Sequence, residues 1–328
     1  VVEDTYRLPF VTHACLGTMV AIADWDLQDS LTMWTTTQVP FLYQRDLAAA
    51  LGITGDRVRV LQPPVGGNFG RGLDIYPIDV IAALLARRVR RPVKIEFDRV
   101  EEFVACPGRE PCTIRLRTAA DRDGRLLARD AHVTIDSGAY TSWGSTTPYV
   151  MLSTIVGLYR VPNIRFDTTI VYTNNPYSGS MRGYGNPEST FAVESQMDDL
   201  ADRLGMDRLE LRRRNASKSG DVNPQGFVLT SFAMTECIDA AAEAIQRDAP
   251  TLRRGWKRGV GYAGMFHVGG GARIYRSDGC GAIVKLDDFG KVSLITGATE
   301  IGQGSETVLA MIVAETLGVP LERVDVIN

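Results

Sequence analysis

The sequence predicts an α+β fold with mixed sheets, built around two copies of a strand–turn–helix–strand unit. Two observations carry this. Segments of alternating apolar residues are interleaved with segments of helical period throughout the 328 residues. In addition, LAAALGITGDRVRVLQ (47–62) aligns without gaps with VAETLGVPLERVDVIN (313–328). Leu51-Gly52-Ile53 matches Leu317-Gly318-Val319, and Arg57, Val58 and Val60 match Arg323, Val324 and Val326. A Thr- and Gln-bearing turn precedes each helix: TTTQVP (35–40) and ATEIGQG (298–304). The expected division is a first domain over 1–230 and the start of a second over 231–328.

The elements follow in order. TMVAIADWD and SLTMWTTTQ read as a hairpin broken at LQDS, and PFLYQRDLAAALG as a helix closed by Gly52. RVRVLQ is a short strand, IYPIDVIAALLARR a helix and PVKIEF a strand. TIRLRTAADRDGRLLARDAHVTIDSG is a long hairpin turned at Asp121–Gly124. NPESTFAVESQMDDLADRLG is a helix: Asn186 is placed to cap it, Pro187 suits its first position and Gly205 ends it. Val193, Met197, Leu200 and Leu204 form its apolar stripe, and KLDDFGKVSLITG is a further hairpin.

Composition narrows the function. A net charge of −3 calls for neither nucleic acid nor an acidic membrane surface. The basic runs at 87–91 and 212–214 follow helical patterns and read as solvated helix ends. Five scattered cysteines argue against a disulfide framework, and CPGREPC (106–112) has no zinc or iron–sulfur spacing. The histidines, His13, His132 and His267, have no motif partners, and no stretch is long and apolar enough to span a membrane. The chain opens on VVEDTYRLPF without a leader and stops where the loop of the second copy should begin, so it reads as a piece of a longer polypeptide.

Chemistry concentrates in loops. LQPPVGGNFGRGLD (61–74) fits neither a phosphate loop nor a dinucleotide fingerprint. It is either a surface turn cluster or a tight loop that offers backbone N–H groups, with Phe69 at its crest. In NNPYSGSMRGYGNPE (174–188), Arg182 precedes a helix N-terminus, which suits a polyanion, and Tyr184 is able to stack on a planar ligand. Gln38 and Gln303 are amides at strand–helix junctions, Gln303 between two glycines. HVGGGAR (267–273) is a glycine-rich loop suited to lining a pocket.

Taken in order, W-x-x-T-Q-x-P, Q-P-P-V-G-G-x-F-G, M-R-G-Y-G-x-P-E, L-E-L-R-R-R-N and T-E-I-G-Q-G resemble the molybdenum-cofactor-binding subunit of the xanthine dehydrogenase and aldehyde oxidase family, with the QPPVGG loop and the VLAMIVAE segment closest to its 4-hydroxybenzoyl-CoA reductase branch. The resemblance covers essentially the whole chain. It implies molybdopterin, as the cytosine dinucleotide, whose dithiolene and not a protein cysteine holds molybdenum. Gln38, Phe69 and Arg182 would stand beside the metal. Gly67, Gly70 and Met181 would meet the cofactor through backbone, and Gly302 and Gln303 would hold the pterin or its phosphates. Leu73, Val150 and Tyr184 would line the substrate. Leu73 and Val150 replace the Glu and Arg of xanthine-type members, which argues against xanthine. The family's catalytic Glu would lie beyond Asn328, so the catalytic residues are unknown and this piece alone would be inactive. The family's N-terminal domain would precede the first residue.

The implied activity is two-electron transfer at molybdenum to or from an aromatic, N-heterocyclic or aldehyde substrate, in the cytoplasm. Iron–sulfur clusters of the 2Fe-2S type and FAD would sit on other subunits or domains of a hetero-oligomer, often dimerised. The alternatives are a non-catalytic cofactor-binding module and an aryl-CoA reductase subunit.

Overall fold

The computed structural model describes residues 1–247, 251–267 and 279–328; of the glycine-rich stretch HVGGGAR, residues 268–273 lie outside them. The chain divides into two compact units that are interleaved in sequence.

Among the described residues, the first unit is built on a four-stranded sheet ordered Val2–Leu8, Cys112–Ala120, Leu126–Gly138, Asn163–Tyr172. The first three strands are antiparallel and the last runs parallel to Leu126–Gly138, so the sheet is mixed as predicted. Alternation buries Ile114, Leu116 and Ile135, and these pack with Ile155 of helix Thr147–Gly157 and with Val193 and Met197 of helix Asn186–Leu204.

Two expectations are corrected here. The long helix is capped by Gly185, at φ +86°, and not by Asn186. A Cβ at Gly185 would come within 2.7 Å of Met151 Cγ and 2.8 Å of Thr147 Cγ2, so only glycine allows this entry. Asn186 becomes the first helical residue, and its side-chain amide faces His267 Nδ1 at 2.5 Å instead. The run 212–214 is also not uniformly solvated. Arg212 is 1% exposed, donates from Nε to Glu194 Oε2 at 2.9 Å and is ion-paired with Asp198 Oδ1 at 2.8 Å. Helix Arg208–Asn215 turns Arg212 inward with Leu209 and Leu211, Arg213 is half-buried, and of the three only Arg214 is exposed. A guanidinium is tolerated there because two carboxylates compensate it.

The second unit holds both copies of the repeat. In the first, Val20–Trp25 pairs antiparallel with Leu31–Thr35, helix Pro40–Leu51 follows, and Val58–Leu61 returns parallel to Leu31–Thr35. In the second, Ala282–Leu286 pairs antiparallel with Val292–Thr296, helix Ser305–Leu317 follows, and Val324–Ile327 returns parallel to Val292–Thr296. The helices end alike, on Gly52 at φ +67° and Gly318 at φ +68°. The next amides, of Ile53 and Val319, reach back 3.0 Å to Ala48 O and Ala314 O.

In the first copy, strand Val93–Glu96 extends the sheet beside Val20–Trp25. Helix Pro77–Val89 covers it, with buried Ala82, Ala83 and Ala86 and a 2.8 Å bond from Trp25 Nε1 to Ala83 O. Among the described residues no helix is long and apolar enough to cross a membrane.

Asp79 closes the N-terminus of that helix: its carboxylate accepts from Tyr76 N at 2.7 Å and from Thr35 Oγ1 at 3.1 Å, with no exposure to solvent. Burial raises its pKa to about 6. The folded chain therefore holds this proton more tightly than the unfolded chain. The resulting stability is full below about pH 4 and is lost as pH rises through 6. Asp79→Asn keeps an acceptor without the buried charge. Its melting temperature should exceed that of the parent at pH 8, by the equivalent of roughly 2–3 kcal/mol, and the gap should close by pH 4.

Candidate cofactor site

The glycine-rich loop follows strand Val58–Leu61 and is suspended from the first Gln turn. Asn68, fully buried, donates from Nδ2 to Thr36 O at 2.9 Å and accepts at Oδ1 from Gly72 N at 2.7 Å. Gln38 N donates to Gly72 O at 3.0 Å, and Thr37 Oγ1 to the same oxygen at 3.1 Å. A Cβ on Gly72 would lie 2.5 Å from Thr36 O, so the chain packs here backbone to backbone. Gly66, Gly67, Phe69 and Gly70 all have positive φ (66°, 99°, 57° and 107°). For Phe69 this is an uncommon conformation that surrounding contacts must impose.

Those contacts come from below the loop. Arg71 is fully buried, ion-paired with Glu102, and donates to Gly17 O at 2.9 Å. The Tyr76 hydroxyl donates to Arg71 O, and Glu102 Oε2 takes Met19 N at 2.8 Å. Cys15 and Cys106 are also buried in this unit, with thiols pushed up by burial, so both are neutral at pH 7. His13 lies between two carbonyls, Nε2 2.8 Å from Ser180 O and Nδ1 3.1 Å from Pro107 O. Burial lowers its pKa, and a neutral ring donates to only one of the two.

The expected site residues of this unit fall as follows. Gln38 Oε1 accepts from Gly70 N at 3.1 Å, so this amide is engaged by the glutamine. Segment Gly179–Arg182 returns to this unit and lies on the loop: Arg182 N donates to Phe69 O at 2.8 Å, and its exposed guanidinium stands 5.3 Å from the centre of the Phe69 ring. Met181 is the preceding residue and is half-buried. Gln38, Phe69, Gly70 and Arg182 are thus brought together.

Gly67 belongs to a neighbouring cavity of about 410 Å³, whose walls include Val65, Gly66 and Gly67 of one loop and Glu300, Ile301 and Gly302 of the second Gln turn. Gly302 has φ +108°, and a Cβ there would meet nothing within 4 Å. Gln303, exposed, folds back on its own turn, donating to Thr299 O at 2.7 Å and accepting from Ile301 N at 2.7 Å. Glu300 folds onto the helix behind it, and the N–H groups of Gly304 and Gly302 hold its pKa below the usual carboxylate range. Leu73 ends the 3₁₀ turn Arg71–Leu73 and is half-buried.

The other two positions belong to the first unit. Val150 is 2% exposed within helix Thr147–Gly157. Tyr184 has φ +49°, and its hydroxyl bonds to Thr146 Oγ1 and Trp143 O.

The sequence reading missed Asn68, Arg71, Glu102, His13 and Glu300. Asn68 and Arg71 lie inside the glycine motif, and Glu300 inside TEIGQG, so for these three the signal was the motif itself. Glu102 and His13 carry no local signal, since their partners are 31 and 167 residues away.

Comparisons with known proteins place the chain in a family. Residues 1–216 and 234–328 match two families that are both described as molybdopterin cofactor-binding domain. The xanthine dehydrogenase molybdenum-binding subunit of Escherichia coli O157:H7 is 33% identical over all of this chain and 44% of its own length. The nicotinate dehydrogenase large molybdopterin subunit of Eubacterium barkeri is 36% identical over 74% of this chain and 57% of its own length. The crystal structure of quinoline 2-oxidoreductase from Pseudomonas putida 86 superposes with a TM-score of 0.85 at 26% identity, over 99% of this chain and 44% of that one. The chain thus spans under half the length of the xanthine dehydrogenase subunit that it matches.

Proposed function

Starting from a chain that belongs to the molybdopterin cofactor-binding domain family, we propose that it forms the cofactor-holding part of a molybdenum hydroxylase or dehydrogenase acting on an N-heterocyclic, aromatic or aldehyde substrate. The observation that carries this reading is the convergence of Gln38, Phe69–Gly70 and Arg182 on one loop. A large polyanion fits the residues present. The loop offers backbone in left-handed conformations, Arg182 an exposed cation, and Gly67 and Gly302 positions in the cavity wall where the main chain can be approached closely.

In this reading Gln38, Phe69 and Arg182 face the metal end, Gly67, Gly70 and Met181 meet the cofactor through the main chain, and Gly302 and Gln303 border the pterin. When bound, the cofactor supplies a two-electron redox centre. The protein's own part is to orient it. Gln38 fixes the Gly70 amide, Asn68 and the Arg71–Glu102 pair hold the loop rigid, and Arg182 adds positive charge where the ligand is anionic.

Three named relatives act on heterocycles: xanthine, nicotinate and quinoline. We keep Leu73 of one unit, and separately Val150 and Tyr184 of the other, as candidate substrate residues; Leu73 and Val150 lack the charge of a purine anchor. We assign the cofactor as the cytosine dinucleotide form. We place the 2Fe-2S and FAD centres on partner subunits or domains in the cytoplasm, and keep the domain division at 230/231.

The full protein that carries this chain should yield about one molybdenum and one pterin per chain, read by metal analysis and by fluorescence of the oxidised pterin. Arg182→Ala should retain roughly a tenth of that. A full-length protein purified without pterin from a host that makes the cofactor would overturn the reading.

A further inference from the structure

The second Gln turn differs from the first in length. Leu31 pairs with Val58, 27 residues on, whereas Val292 pairs with Val324, 32 residues on, so the second copy carries five extra residues. The first helix starts on Pro40 with no side-chain cap. In the second copy the longer turn folds back and lays the Glu300 carboxylate on the start of helix Ser305–Leu317. Oε1 accepts from Gly302 N at 2.6 Å and Gly304 N at 3.1 Å, and Oε2 from Ser305 Oγ at 3.2 Å and Glu306 N at 3.4 Å.

The same turn is tied to the first copy. Gln62 Nε2 donates to Glu300 O at 2.8 Å, and Thr299 Oγ1 to Gln38 O at 2.8 Å. The N-terminal end of a helix is where a ligand's phosphate would settle, but here a carboxylate of the chain itself already takes two of those donors, Gly304 N and Glu306 N.

We propose that Glu300 is a positioning residue: it closes this helix end to outside anions and presets the Ile301–Gln303 backbone as a wall of the glycine-lined cavity, so that a ligand meets the wall through an uncharged part and carries its phosphate elsewhere. The statement about the ligand rests on the cofactor reading above. The closure of the helix end does not.

The test uses the full protein with Glu300→Ala and Glu300→Gln, read by amide hydrogen exchange, thermal unfolding and pterin content. In Glu300→Ala the amides of 301–306 should exchange roughly 10- to 100-fold faster, while those of helix Pro40–Leu51 stay unchanged. Inorganic phosphate at about 50 mM should slow that exchange again and raise the melting temperature of the alanine variant, with no effect on the parent. Glu300→Gln, which keeps one acceptor, should lie between, and pterin content should fall in the same order. Unchanged exchange in Glu300→Ala overturns the proposal, and so does protection of the parent turn by phosphate. If exchange and phosphate behave as stated while pterin content stays at the parent level, the closure stands and the use of this wall by the cofactor falls.

Discussion

Glu102→Ala is expected to destabilise the protein by about 3–5 kcal/mol, because it leaves the Arg71 guanidinium buried without its counter-charge. Arg71 has no exposed surface and Glu102 is 2% exposed, so water cannot take the place of the lost carboxylate. The damage should begin in the loop. Arg71 also donates to Gly17 O and accepts from the Tyr76 hydroxyl at its own carbonyl, so a displaced guanidinium takes residues 66–72 with it. Glu102 further caps Met19 N, and that bond goes as well. Replacing both partners by apolar residues of similar volume, Arg71→Met with Glu102→Leu, removes the charge problem and should recover most of the lost stability. Thermal or urea unfolding of the single and double variants checks this. A Glu102→Ala variant that melts with the parent would mean that the pair does not hold the loop.

The extent to which the sequence reveals this site follows from where each residue finds its partners. The repeat was legible because both copies keep the same local grammar: an apolar helix stripe, a left-handed glycine and a β-branched return strand. Gly52 and Gly318 behave identically for that reason. The mixed sheets were legible from alternation, as in Cys112–Ala120, where every second residue from Cys112 to Thr118 is buried.

The cap of the long helix was misread because Asn is a good N-cap by its chemistry alone. What decides the position is the approach of Met151 and Thr147, which only Gly185 tolerates. Arg212 was misread because its inward turn depends on Glu194, 18 residues earlier and on another helix. The groups beneath the loop escaped notice for the same reason. His13 and Glu102 act on backbone atoms brought to them by the fold, and backbone atoms leave no trace in a residue pattern.

The second large effect is expected at Gly70. Alanine there meets two separate obstacles. The backbone has φ +107° and ψ −11°, well outside the left-handed region that a side-chain-bearing residue visits. The new Cβ would also lie 2.7 Å from Ser180 O. That oxygen has little room to withdraw, since His13 Nε2 stands 2.8 Å from it. The loop must therefore move, which breaks the Gln38–Gly70 bond and shifts Phe69, on whose carbonyl the Arg182 amide rests.

Gly70→Ala should thus cost roughly 2–4 kcal/mol and strip most of the molybdenum and pterin from the full protein while leaving its far-ultraviolet circular dichroism intact. Gly302→Ala is the matched control. Its φ of +108° is nearly the same, but a Cβ there meets nothing within 4 Å. It carries the backbone strain without the collision and should cost only about 1–2 kcal/mol. A larger loss of melting temperature at Gly70 than at Gly302 separates close packing from strain; cofactor content is compared only between Gly70→Ala and the parent, since Gly302 itself borders the cavity. Equal losses would mean that the approach of Ser180 does not shape the loop and that the site tolerates more movement than its contacts indicate.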